Sequence, residues 1–411
     1  MGQALTEGDV STTSAGDPSS GGSPTRTRRS QESRRRRRRV FAPAIAIVLL
    51  AIPGASLGSS LAANTTDPLN VRVVEWARDH RLGGIVTAIE QTWYSHHQPP
   101  IGGTPRGGIP RAPKLITALH IRAPKSANHI VVPTIIAPPD IPPLVARHLP
   151  GEGVWQASGR LVNNQPALWI TYLRPDPVHT SLITGVAHLD MSRLTATLHA
   201  GTSVPGGGPW VHGAHIATAD YPYVVAAFNS GFRLDNSRGG YYAEGHTVQA
   251  LVADRASFVT YGDGHVDVGL WGRDDMMTPG VTAVRQNLGL IIDGGTVVPG
   301  LTDANSSLWG GTVGNKIYVW RSGVGVDAHG NLVYAAGPGL NVGTLAETMR
   351  RAGCVRAMEL DINTWWTSFT EYTRDSRAGL QSSNLLTTMV RRPDRYLTDG
   401  TRDFIEIDAR H

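Results

Sequence analysis

The sequence predicts an α+β fold: a mixed, largely antiparallel sheet with flanking helices, preceded by one transmembrane helix. Three observations carry this. An uncharged run of 24 residues, Val40 to Ala63, directly follows six consecutive arginines. From about Gly151 the chain breaks into short apolar and β-branched runs bounded by Gly, Asn and Asp turn signals. Only one well-specified helix interrupts those runs, so the regular strand–helix alternation of a parallel sheet is absent.

The first element, residues 1–39, is expected to be a disordered cytoplasmic tail. It is rich in Ser, Thr, Gly and Pro and has almost no large apolar side chains to offset ordering entropy. It also holds the charge imbalance. Nine arginines (Arg26, Arg28, Arg29 and Arg34 to Arg39) face four acids there, and the rest of the chain has 29 basic and 29 acidic side chains. A body without net charge gives no nucleic-acid-binding surface by charge. Cys354 is the only cysteine, so no intrachain disulfide can form.

The second element, 40–63, is long enough to cross the hydrocarbon core, which takes about 20 helical residues. The arginine block on its N-terminal side places that end in the cytoplasm. An uncleaved signal anchor is expected. A cleavable signal peptide is the alternative, since Ser60-Leu61-Ala62-Ala63 has the small residues of a cleavage site. Either way the body lies outside the membrane, giving a single-pass cell-membrane protein with an extracytoplasmic C-terminal domain.

Residues 64–150 read as a helical stalk followed by a Pro/Gly-rich linker. Asp67 is placed to cap a helix with Pro68 in its first turn, and Leu69, Val73, Trp76 and Ala77 share a face. Gly83-Gly84 breaks that helix, and a second runs from about Ile85 to Tyr94. Gln98 to Lys114 is linker by composition, and 115–150 stays Pro-rich. Residues 151–411 form the main domain. Strands are expected at Ala167–Pro175, Arg193–Gly201 and Tyr223–Phe232. Hairpins are expected in Gln249–Gly272, turning at Asp263-Gly264, and in Lys316–Gly337, turning at Ala328 to Asn331. Thr344 with Glu347 makes a capping box for a helix that Gly353 ends, and a strand Cys354–Ile362 follows.

The chain has no GxSxG, Walker, HExxH or paired CxxC motif. No metal and no cofactor is expected. His212 and His215 are among the closest histidines to ligand spacing, but they lie in a Gly/Pro-rich loop where histidines without a role are common. Glu359 and Asp361 alternate with Met358, Leu360 and Ile362, which puts both acids on one strand face. That face is either solvated or an acid/base pair. Trp365 and Trp366 follow the strand and either wall a sugar site or belong to the core. Arg285 and Arg321 offer planar donor forks for a phosphate or carboxylate, or make ordinary ion pairs. Asn229 sits in a tight turn, Ala227 to Phe232, where Asn often takes a left-handed conformation.

Taken in order, these stretches resemble the phosphodiester glycosidase family from about residue 180 to 410. AFNSGF (Ala227 to Phe232) is similar to the family's Asn-Gly-Gly-Phe-like turn. RQNLGLIIDG (Arg285 to Gly294) and RSGVGVDAHGNLVY (Arg321 to Tyr334) are similar to its Arg-x-x-x-Gly strand, and TLAETMRRAGCVRAMELD (Thr344 to Asp361) follows its helix–Gly–strand order. Where the family has Gly-Gly-Gly-Ser after the aspartate, this chain has Ile362-Asn363-Thr364-Trp365-Trp366, and the family's Asn is replaced by Glu359. The resemblance implies hydrolysis of a sugar-1-phosphodiester in cell-envelope glycans. It implies Asp361 as catalytic carboxylate with Glu359 as its partner. Arg285 and Arg321 would hold the phosphate, Asn229 a sugar hydroxyl, and Asn363, Trp365 and Trp366 the rest of the substrate. The alternative is a non-catalytic glycan-binding or envelope-assembly protein on the same fold.

Overall fold

The computed structural model describes residues 54–62, 67–113, 137–301, 309, 318–375 and 378–410. The expected tail (1–39), most of the expected span (40–63) and much of the linker lie outside them. Residues 54–62 are helical and belong to a first unit, Met1–Ala62, while Ala63–His411 is a second compact unit. Among the described residues no helix is long and apolar enough to cross a membrane.

Two helices open the second unit, α1 (Leu69–Ala77) and α2 (Gly83–His96). The break between them falls earlier than Gly83-Gly84. His80 and Arg81 leave helical geometry, Arg81 at φ 65°, and the two glycines sit inside the first turn of α2. The strands then run β1 (Gln156–Val162), β2 (Gln165–Leu173), β3 (Thr184–Leu189), β4 (Leu194–His199) and β5 (Val224–Asn229). A one-turn helix α3 (Leu234–Ser237) precedes β6 (Tyr241–Ala243), β7 (His246–Gln249), β8 (Ala256–Tyr261), β9 (Val266–Leu270) and β10 (Val281–Gln286). Next come β11 (Leu290–Asp293), β12 (Thr296–Val297), β13 (Val319–Asp327), β14 (Leu332–Leu340), α4 (Val342–Arg351) and β15 (Cys354–Glu359). The last strands are β16 (Phe369–Asp375), β17 (Gly379–Asn384) and β18 (Phe404–Ala409).

The strands form three sheets, ordered β1-β2-β3-β14-β13-β15-β11-β12, β7-β6-β10-β8-β9 and β17-β16-β5-β18-β4. The expected mixed sheet is corrected here: every strand pair within the three sheets is antiparallel. The crossover helix α4 carries the chain over β13, so β14 and β15 flank β13 and each pairs with it antiparallel. Both hairpins expected from the sequence are present, as β8–β9 and β13–β14.

The first sheet is covered on both faces. Ile170, Val324, Tyr334 and Met358 share one core with Phe228, Phe369, Ile405 and Ile407 of the third sheet. Val333, Ala335 and Ala357 pack under Leu345, Ala346 and Met349 of α4. That explains why β2 is buried at all nine positions and reads as a continuous run. Gly323 lets α4 approach, since a Cβ there would come within 2.7 Å of Met349 Sδ. The cap of α4 is Asn341, three residues before the Thr344 expected from the sequence. Asn341 Oδ1 accepts the Thr344 N–H at 2.8 Å, and Thr344 Oγ1 accepts the Asn341 N–H at 3.0 Å. Glu347, thus displaced from the box, pairs with Arg350.

Candidate active site

Three pieces of chain converge past the strand ends: the turn Asn229–Phe232 after β5, Asn287 after β10, and residues 360–368 after β15. Asn287 joins them. Its Nδ2 donates to the carbonyls of Glu359 at 2.7 Å and Leu360 at 3.1 Å, and its Oδ1 accepts the Phe232 N–H. Gly231 suits this join, because a Cβ there would lie 3.1 Å from Asn287 Cγ, a tight contact that the amide would have to yield to. Asn229 is a second tie. Its Nδ2 reaches Ser322 Oγ, and its Oδ1 accepts from Tyr334 OH at 2.9 Å and the Ser368 N–H at 3.1 Å. With those atoms engaged inside the protein, Asn229 holds the turn in place rather than presenting an amide to a sugar.

The two carboxylates are both buried, Glu359 at 0% and Asp361 at 3% exposure, which removes the solvated-face reading. They are also separated electrostatically. Glu359 lies opposite Gly323 on β13, two residues from Ala357, whose side chain packs under α4. Its Oε1 accepts from Arg321 Nη1 at 2.5 Å, and Arg321 Nε donates to the Leu340 carbonyl at 2.9 Å. Both partners of this ion pair are fully buried. The expected partnership of Glu359 with Asp361 is therefore corrected: Arg321 takes Glu359, and in doing so Arg321 is not free to hold a phosphate. Arg285 is committed likewise. It donates to Asp403 Oδ2 at 2.6 Å, to the Gln286 carbonyl and to the Phe232 carbonyl, bracing the Asn229–Phe232 turn.

Asp361 lies just past the end of β15 and faces Arg402, whose Nη2 is 3.5 Å from Asp361 Oδ2 and 3.1 Å from the Gly231 carbonyl. Burial raises the Asp361 carboxyl to about 7, with Arg402 opposing the rise. A carboxyl that changes charge near neutrality is suited to general acid/base work.

Arg402 is one of three buried arginines gathered round the ring of Trp366. Their guanidinium carbons lie 4.8 Å (Arg402), 5.4 Å (Arg391) and 5.5 Å (Arg395) from the ring centroid. The indole face attracts each of them, but three like charges in one pocket still repel. Burial and then Arg395 push Arg391 down to about 10. Arg391 Nη1 and Arg402 Nε are buried without a hydrogen-bond partner. Arg395 Nη1 donates to Ser368 Oγ at 3.0 Å. Trp366 is thus a platform for arginines, while Trp365 stays partly exposed beside it. These arginines were missed by reading motifs one at a time. The signal was available in VRRPDRYLTDGTRD (Val390 to Asp403), which holds Arg391, Arg392, Arg395 and Arg402 in 14 residues.

The N-terminal helices cover this pocket with acids. Asp67 pairs with Arg391 and accepts from Thr401 Oγ1, so it does not cap α1 as expected. Burial works to raise its carboxyl, but Arg391 and Arg395 outweigh this and hold it low. Glu75 accepts from Arg233 Nη1 at 2.7 Å and lies 4.0 Å from Arg402 Nη1. Glu90 accepts from Asn363 Nδ2 at 3.2 Å and pairs with Arg78. His212 and His215 lie elsewhere. The His212 N–H donates to Glu244, and His215 pairs with Asp399 on the surface.

The family model for phosphodiester glycosidases matches residues 222–361. No curated protein matches the chain. Among solved structures, the chain is similar to the catalytic domain of zebrafish N-acetylglucosamine-1-phosphodiester alpha-N-acetylglucosaminidase, described as auto-inhibited by its pro-peptide. The identity is 15% and the TM-score 0.38, over 62% of this chain and 88% of that one. It is similar to a hypothetical protein from Synechocystis at 13% identity and TM-score 0.36, over 62% of this chain and 64% of that chain. A Burkholderia pseudomallei K96243 protein described as exported matches at 12% identity and TM-score 0.30, over 57% of this chain and 75% of that one. Residues 222–361, from the approach to β5 through Asp361, thus match the phosphodiester glycosidase family.

Proposed function

We propose that the chain is a membrane-anchored extracytoplasmic hydrolase that cleaves sugar-1-phosphodiester bonds in cell-envelope glycans. One observation carries the reading: Asp361, a buried carboxyl titrating near neutrality, stands beside the arginine pocket of Arg391, Arg395 and Arg402. A phosphodiester is an anion, and arginine forks match its oxygens. Cleaving its bond to the anomeric carbon leaves a phosphomonoester whose charge the arginines would stabilise. The leaving group then needs little protonation, so Asp361 acts as the ionised carboxylate. It takes a proton from water, or attacks the anomeric carbon itself. Water supplies the hydroxyl that ends on the sugar, and the phosphate oxygen departs with the bonding pair. The α1–α2 pair, with Asp67 and Glu75 on the pocket, must shift for substrate to enter.

The test is hydrolysis of glycerol and aryl sugar-1-phosphodiesters by the full chain. Turnover that Asp361→Asn lowers by about a hundredfold or more supports the reading, in line with the usual weight of a catalytic carboxylate. Turnover unchanged in Asp361→Asn overturns the assignment. Sugar binding without turnover would favour the second reading, a non-catalytic glycan-binding protein. That alternative is supported by the bulky Ile362–Trp366 stretch and by the covered pocket.

A further inference from the structure

Helix α2 is turned inside out. Its polar and amphipathic side chains Glu90 and Tyr94 face the body, reaching Asn363, Arg78 and Thr364. Its outward face is Ile85, Ala88, Ile89, Thr92, Trp93 and His96, spaced i, i+3, i+4, i+7, i+8 and i+11, and every one of them is exposed. Ile85 is 61% exposed, Ile89 65% and Trp93 60%. A surface helix normally buries its apolar stripe, so a continuous exposed stripe marks an interaction face.

The sequence identifies the occupant. The uncharged run ends at Ala63, and only residues 64–68 separate it from Leu69 at the start of α1. That tether reaches about 20 Å at full extension, so a membrane-embedded run keeps α1 at the bilayer surface. The kinked segment Arg78–Leu82 joins α1 directly to α2. We infer that the Ile85–Ile89–Trp93 face of α2 docks onto the lipid bilayer in which the chain is anchored. Isoleucines would enter the acyl boundary and Trp93 would sit at headgroup level, where aromatic rings concentrate. The inference rests on the anchor proposed above, and it adds a second, peripheral contact that holds the helical cover of the arginine pocket against the membrane.

The full chain, labelled with bimane at Ile89→Cys, tests this in phosphatidylcholine/phosphatidylglycerol vesicles with and without brominated acyl chains. Cys354 is buried, so the unsubstituted chain serves as the labelling blank. A bimane at Ala328→Cys, in the exposed β13–β14 turn, is the control. Docking predicts quenching of the Ile89 probe by about twofold or more, as for a side chain inserted into the acyl boundary, with the Ala328 probe unquenched. An unquenched Ile89 probe on a chain that resists alkaline extraction overturns docking and leaves the anchor standing. Extraction by alkali overturns the anchor and docking together. Disulfide-linked pairs through Ile89→Cys, without quenching, would assign the face to a second copy of the chain and overturn docking.

Discussion

Glu359 and Asp361 are two residues apart and have different electrostatic partners. Glu359 is closed into an ion pair with Arg321 beneath α4. Removing one partner leaves a buried charge unpaired, so Glu359→Gln should cost about 3 kcal/mol, read as a lowered midpoint in urea unfolding. Replacing both residues with apolar ones of similar volume should recover most of that loss. Asp361, raised to about 7, should act through its ionised form. kcat/KM should therefore rise with pH through about 7 and level off above it, and a profile flat from pH 5 to 9 would remove Asp361 from the chemistry. The sequence showed these positions but not their partners. Arg321 and Glu359 are 38 residues apart, and Asp361 and Arg402 are 41 apart. A two-residue period assigns a face only while the strand lasts, and β15 ends at Glu359, before Asp361.

At the scale of elements, hairpins and the crossover helix were legible because turn residues and periodicity act locally. The boundaries of α4 and α1 were less so, since a cap is decided by which of several polar side chains reaches the free N–H groups. Asn341→Ala should remove the observed cap and cost about 1 kcal/mol, whereas Glu347→Ala, on an exposed pair, should cost little in the same thermal melt. The helical cover could not be read at all. Asp67 meets Arg391 across 324 residues, and nothing local in either stretch announces it. If α1 screens the arginine pocket, weakening its acids should open it. Glu75→Gln, which loosens the contacts to Arg233 and Arg402, should raise kcat/KM several-fold on a sugar-1-phosphodiester. A fall in activity with the fold retained would make Glu75 part of the working site instead.

Across the whole molecule, buried acids set an unusual pH response. His199 Nδ1 faces the Gly213 carbonyl at 2.9 Å and so carries the hydrogen, and burial keeps the ring neutral. Its Nε2 is then an acceptor, 2.5 Å from Glu406 Oε2, so Glu406 must be the protonated partner. Burial, reinforced by Asp220, raises Glu406 to about 8, and burial together with Glu406 raises Asp408 to about 8. Folded pKa values above the unfolded ones give stability that is full below about pH 4 and is lost as pH rises toward 8. Asp67, Glu152 and Asp327 are held low and lose theirs only at acid pH. The melting temperature should therefore fall between pH 5 and pH 8, and Glu406→Gln should flatten that slope. The third sheet is closed by a strand far along the chain from the two it joins. Strand β18 lies between β5 and β4. Arg402 and Asp403 lead directly into it. β4 and β5 do not pair with each other, so neither is joined to the other until β18 inserts between them, and Arg402 is carried into its pocket by that insertion. Proline at Ile405, which removes a ladder donor between the two neighbours, should leave the sheet divided and give a product that proteases clear rather than one that works poorly.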